Sequence, residues 1–206
     1  GLIPAAWLPS NDVVDPAEAR YWKTGALKTM LDETNIGFTD GSGGPKSFHP
    51  KFPKLDRIPA RLQRVGAGVA AFTWDESAKK ILKFAALGSE VPGKQTVPRA
   101  ELWAVILGVS MASSDTDLIL GVDASYVTKG FHNEDELARG PNGDLWALLR
   151  QLVKERDGEV RLVKEKAHLD EELKQYNQGI RSSAVVGAAG DLNLHDVAGN
   201  VLADAA

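Results

Sequence analysis

Hydrophobic periodicity changes along this chain in a fixed order, and that order admits few folds. Ile36-Gly37-Phe38-Thr39-Asp40 is a β-prone run stopped by Gly41-Ser42-Gly43-Gly44. Val65 to Trp74 and Lys80 to Leu87 are two longer apolar runs joined by Asp75-Glu76-Ser77, a connection with the length and polarity of a hairpin. Together the three runs predict an antiparallel meander. Pro98 then opens a helix whose Leu102, Val105, Ile106 and Val109 recur at i, i+3, i+4 and i+7, the spacing that keeps one face on a core. A buried-type strand over Leu118 to Asp123, a short helix over Ser125 to Phe131 and a helix over Asp144 to Glu155 follow. Val160 to Lys166 alternates as a strand does. A loose Gly- and Ala-containing segment runs from about Leu173 to Val197, and Gly199-Asn200 starts the last helix. The resulting order, β-β-β-α-β-α-α-β-α, is that of an α/β domain over residues 35–206. Upstream, Asp15-Pro16 and Glu18 form a helix start, which predicts one helix from Pro16 to about Glu33 within an N-terminal extension of residues 1–34.

Composition removes several function classes. The 206 residues include no cysteine, so disulfide scaffolds, Cys-ligated zinc and thiol nucleophiles are excluded. With 43% apolar residues the chain has enough material for a core, which excludes disorder as its main state. The longest apolar stretches, Val65 to Phe72 and Ala184 to Ala189, are far short of the roughly 20 residues of a membrane span, so no membrane partner is expected. The start Gly1-Leu2-Ile3-Pro4 lacks both an initiator Met and a basic signal region, and the end at Asp204-Ala205-Ala206 falls in the first turns of a helix. These ends lead us to expect a piece of a longer polypeptide, working in the cytoplasm or nucleus.

Four acids stand at element ends. Asp40 closes the first strand and Asp123 the fourth; if those strands are parallel neighbours, both carboxylates emerge where open α/β sheets place ligands. Glu101 lies in the first turn of the helix from Pro98, and Asp204 in the first turns of the last helix. Taken singly, an Asp before Gly-Ser-Gly is a common turn former. As a set, four converging acids repel one another unless a divalent cation sits between them. Hard oxygen ligands favour Mg²⁺ or Mn²⁺ over zinc.

On these residues the sequence resembles the type 1 ribonucleases H, including the ribonuclease H domains of retroelement reverse transcriptases. The resemblance covers about Asn35 to Ala206. It rests on Phe38-Thr39-Asp40-Gly41-Ser42, on Pro98-Arg99-Ala100-Glu101-Leu102, on Val122-Asp123-Ala124-Ser125-Tyr126-Val127 with Lys129-Gly130-Phe131, on Asn142-Gly143-Asp144-Leu145-Trp146, and on Asn200 with Asp204. It implies a ribonuclease H-like fold: a five-stranded mixed sheet, three antiparallel and two parallel strands, flanked by helices. It further implies that Asp40, Glu101, Asp123 and Asp204 hold two Mg²⁺ (or Mn²⁺) and the scissile phosphate of RNA in an RNA-DNA hybrid, giving 5′-phosphate and 3′-hydroxyl ends. A platform that binds nucleic acid or protein without catalysis is the alternative reading. The missing Met, the abrupt end and the family look of the first-hairpin insertion point to a retroelement origin, with a reverse transcriptase or another domain of the parent polypeptide as partner.

The family usually carries one functional His after its fifth strand. His168 follows the strand Val160 to Lys166 directly and is the favoured candidate; His195 has the more usual spacing from Asp204 but belongs to the loose segment. The first hairpin carries an insertion in which Lys46, Lys51, Lys54, Arg57, Arg61 and Arg64 stand against Asp56 alone, in a chain of net charge -4. That asymmetry predicts a phosphate-tracking surface, to which Ser42 and Thr96 add polar contacts. The basic handle of many relatives is replaced by His132-Asn133-Glu134-Asp135-Glu136-Leu137-Ala138-Arg139-Gly140, which is short and acidic.

Overall fold

Six strands build one mixed sheet in the order β1-β4-β3-β2-β5-β6, seen in a computed structural model that describes residues 22–43, 65–78, 80–133, 140–165 and 194–204. The elements run β1 (Trp22–Thr24), α1 (Leu27–Thr34), β2 (Ile36–Gly43), β3 (Val65–Asp75), β4 (Lys80–Glu90), α2 (Val97–Met111), β5 (Leu118–Val122), α3 (Ser125–Phe131), α4 (Gly143–Lys154), β6 (Val160–Lys164) and α5 (Leu194–Asp204). The meander β2-β3-β4 is antiparallel, as its hairpin signals predict, while β5 and β6 add in parallel on the far side of β2. The mixed α/β sheet expected from the sequence is therefore present, with one strand more than the five expected.

The sixth strand corrects the reading of residues 16–33 as one helix. Trp22–Thr24 instead pairs antiparallel with Ala86–Gly88 of β4, and α1 begins only at Leu27. Helix propensity loses here to the unpaired backbone edge of β4, whose donors and acceptors β1 satisfies. Leu27, Met30 and Leu31 of α1 are buried in the main core, each worth about 1.5–3 kcal/mol when fully buried.

Apolar side chains lie on both faces of the sheet. On one face α1, α2 and α4 enclose a core that includes Val69, Trp103, Ile106, Leu120 and Leu149. Helix α2 is buried along its whole circumference from Arg99 to Val109, where the sequence spacing predicted one buried face. A helix covered by a sheet beneath and other helices around it has no solvent side to reserve for polar residues. On the other face Phe38, Ala70, Phe72, Ala86 and Ala203 form a smaller core under α5. There Gly199 lies so close to the Phe38 ring that an added Cβ would fall 2.3 Å from it. Gly199 is thus a contact point inside α5, and the helix starts at Leu194 rather than at Gly199-Asn200 as expected.

Candidate metal centre

Main-chain register sets the first two acids side by side. In the parallel pair β2-β5 the last partners are Thr39 and Val122, so Asp40 and Asp123 are the next residues along neighbouring strands; Asp123 follows the end of β5, while β2 does not close at Asp40 as expected but stays paired with β3 as far as Gly43. Thr39 helps to hold that register by donating its hydroxyl to the Gly121 carbonyl at 3.2 Å. Glu101 comes from above the sheet, in the first turns of α2. A Cβ on Gly41 would sit 2.4 Å from the Glu101 nitrogen, so the helix approaches the strand this closely because residue 41 has no side chain. One carboxylate oxygen from each of Asp40, Glu101 and Asp123 lies within 4.8 Å of the others. Asp204, at the end of α5, hydrogen-bonds the Asp40 side chain from the exposed side. All four acids singled out in the sequence are thus gathered at one end of the sheet.

Electrostatics make the cluster expensive to ionise. Burial, then the charge of Asp123 and the hydrogen bond and charge of Asp204, push the Asp40 carboxyl up to about 7. Burial, then the charges of Asp123 and Asp40, push Glu101 up to about 9, against the Gly41 N–H and the Lys164 ammonium, which act the other way. Glu101 is 7% exposed, and its Oε2 is buried with no hydrogen-bond partner. An orphaned carboxylate oxygen facing two further carboxylates has the chemistry of a divalent-cation ligand. Oxygen–oxygen separations of this size are spanned by two metal–oxygen bonds of about 2.0–2.6 Å. An all-oxygen donor set suits Mg²⁺, Mn²⁺ or Ca²⁺.

Two neighbouring features escape a reading of the sequence. Lys164, at the end of β6, pairs in register with Val122 and donates its ammonium to the main-chain carbonyls of Asp123 and Glu165. An open cleft of about 890 Å³ lies at the starts of α2 and α4, lined by Lys94, Thr96, Arg99, Asn142 and Asp144 among others. Inside it the buried Arg99 makes a bidentate pair with Asp144 at 2.8 and 2.5 Å and donates to the Pro92 carbonyl at 2.5 Å. Thr96 is the exposed residue just before α2, and Ser42 is exposed near the end of β2. Gln95, next to Thr96, serves the backbone: it donates to the Val91 and Gly93 carbonyls and accepts from the Val65 N–H.

No protein-family model and no curated protein matches the chain. Solved structures do. An RNase H1 from the halophilic archaeon Halobacterium salinarum aligns at 17% identity over 66% of this chain and 88% of its own, with a TM-score of 0.43. LC9-RNase H1, described as a type 1 RNase H with the type 2 active-site motif, aligns at 18% identity over 82% of each chain with a TM-score of 0.44. LC11-RNase H1, solved with an RNA/DNA hybrid, aligns at 16% identity over 71% of this chain and 99% of its own with a TM-score of 0.44.

The remaining candidates are placed as follows. His168 and the basic residues Lys46, Lys51, Lys54, Arg57, Arg61 and Arg64 lie outside the described residues, as do residues 134–139 of the acidic connection. His195 lies in α5, one residue after its start.

Proposed function

We propose that the protein is a metal-dependent endonuclease that hydrolyses the RNA strand of RNA-DNA hybrids, leaving 5′-phosphate and 3′-hydroxyl ends. The observation that carries this reading is the convergence of Asp40, Glu101 and Asp123 within 4.8 Å, with a buried Glu101 oxygen that has no hydrogen-bond partner among the described residues. The order of these acids along the chain, and the motifs around them, support a ribonuclease H-like reaction over other phosphoryl transfers.

In this reading Asp40, Glu101, Asp123 and Asp204 hold two Mg²⁺ or Mn²⁺. Bound there, the cations supply an attacking water of lowered pKa and charge stabilisation for the leaving 3′ oxygen. The chain's own groups prepare that state. The Gly41 N–H orients Glu101, and Asp40 and Glu101 release their protons when a cation takes their place. Thr96 and Lys94 in the cleft, with Ser42 at the end of β2, receive backbone phosphates near the reacting strand. Lys46, Lys51, Lys54, Arg57, Arg61 and Arg64 extend that track, and His168 assists proton transfer or product release. Selectivity for RNA follows from 2′-hydroxyl contacts across a wide minor groove, with weak sequence preference. A reverse transcriptase in a parent polypeptide is a fitting source of such hybrids.

The test is incubation of the purified chain with end-labelled RNA-DNA hybrid, duplex DNA and duplex RNA, each in Mg²⁺, Mn²⁺ and EDTA. Cleavage confined to the hybrid's RNA strand and lost in EDTA is the expected result. A folded chain that cuts none of the substrates but retains the hybrid would instead be a binding module.

A further inference from the structure

Lys164 sits beside three carboxylates and pairs with none of them. Its ammonium is bound by the carbonyls of Asp123 and Glu165, and among the described residues it forms no ion pair. A lysine beside an acidic cluster ordinarily swings its flexible stem to the nearest carboxylate. Here the register Val122↔Lys164 puts the residue at the same end of the sheet as Asp123, and two main-chain carbonyls fix the ammonium there. The carboxylate oxygens are thereby left free of the lysine. An ammonium has three donors, so one remains after the two carbonyls are served. The side chain is exposed, and its charge reaches Glu101.

The arrangement separates two tasks. Carboxylates take cations, and a fixed ammonium with a spare donor takes an anion next to them. We propose that Lys164 is a positioning residue that binds a backbone phosphate of the nucleic-acid strand lying across the carboxylate cluster, an assignment that rests on the hybrid-nuclease reading above. Asp40, Glu101 and Asp123 would hold cations that attract a phosphodiester, and Lys164 is, among the described residues, a cation on the β6 side placed to receive one of its non-bridging oxygens. The contact is to the backbone, so it carries no sequence information.

The experiment measures hybrid binding by fluorescence anisotropy in Ca²⁺, which fills oxygen sites, across a series of salt concentrations. Each phosphate neutralised contributes about 0.7–0.9 to the slope of log K against log salt. For Lys164→Met the slope should become shallower by about that amount, with affinity down about fivefold at ~0.15 M salt. Lys164→Arg should retain the wild-type slope. Thermal melts of both variants separate this role from a purely structural tie between strand ends. A Lys164→Met protein that melts lower yet keeps the wild-type slope overturns the proposal and leaves the nuclease reading standing. If Lys164→Met does not fold, loss of the slope contribution in Lys164→Gln, or its retention, decides the same point. A wild-type chain that binds no hybrid overturns both readings.

Discussion

Arg99 and Glu101 sit two residues apart in the first turns of α2 and are buried alike, 5% and 7% exposed. Their surroundings are opposite. Arg99 is matched by Asp144, Asn142 and the Pro92 carbonyl, so that each nitrogen of its guanidinium meets an acceptor. Glu101 faces Asp40 and Asp123, two groups of its own sign, and keeps one oxygen bare. A buried charge must be paired, neutralised by proton transfer, or matched by an ion from outside. Arg99 takes the first route within the protein. Glu101 takes the second when no cation is present and, in the function proposed above, the third. One helix turn therefore carries a matched charge on the side of the cleft and an unmatched one on the side of the strand ends.

The largest expected effect comes from removing the bare carboxylate. Glu101→Gln should lower hybrid cleavage by at least about a hundredfold, a loss of the size seen when one preorganised electrostatic contact is removed. Its thermal midpoint in EDTA at pH 8 should not fall below that of the wild type, because Glu101 already holds its proton there and Gln keeps a neutral side chain of the same shape. Wild-type initial rates from this variant would mean that Glu101 is no more involved in cleavage than Arg99. A smaller change, in stability, is expected on the other side. Arg99→Met leaves Asp144 and the Pro92 carbonyl unmatched and should cost about 2–3 kcal/mol in a urea titration. That is less than for a fully buried pair, because Asp144 is 43% exposed. A loss well under about 1 kcal/mol would mean that Arg99 is no more structural than a surface ion pair.

A third effect is one of slope, and its sign differs between the two sides. Asp40 and Glu101 bind protons more tightly in the folded chain than their ordinary values of 3.8 and 4.5 allow. Their contribution to metal-free stability is therefore complete below pH ~4 and is lost as pH rises through about 7 and about 9. Asp144 behaves the other way. The Arg99 guanidinium hydrogen-bonded to it holds its carboxyl below 3.8, so its contribution is present above that value and is lost as pH falls through the lowered one. Urea titrations in EDTA from pH 5 to 9 should show declining stability, and saturating Mg²⁺ should flatten the decline because the cation replaces the protons. An equal decline with and without Mg²⁺ would break the link between the cluster and a divalent ion.

Much of this contrast was written in local signals. Asp40 and Asp123 were legible because each ends a β-prone run; Asp123 directly follows β5, whereas β2 continues past Asp40 to Gly43, so the glycines read as a stop are paired strand residues and Asp40 marks only where β2 stops pairing with β5. Glu101 was legible because Pro98 marks the start of α2 three residues earlier. What stayed hidden depends on pairing rather than on local pattern. Strand β1 is three residues long, too short for an alternation to be read, and the apolar residues around it also fit a helical face. Gly199 resembles a helix starter in sequence, whereas in the fold it makes room for the Phe38 ring of β2. Lys164 is one lysine among several, and only the register of β6 against β5 sets it beside Asp123. The separation of α2's burial from its sequence pattern has the same origin, since which faces are covered depends on where the other helices dock.

The docking of α5 has a consequence in time. Asp204 meets Asp40 only when α5 has settled on Phe38, Ala70, Phe72 and Ala86, and those two acids are 164 positions apart in the chain. A chain growing from its N-terminus can form β2, β3 and β4 long before that helix is made. The cluster is then three-sided until residues 194–204 have left the ribosome, and a nascent chain would carry Asp40, Glu101 and Asp123 for some time before Asp204 could join them.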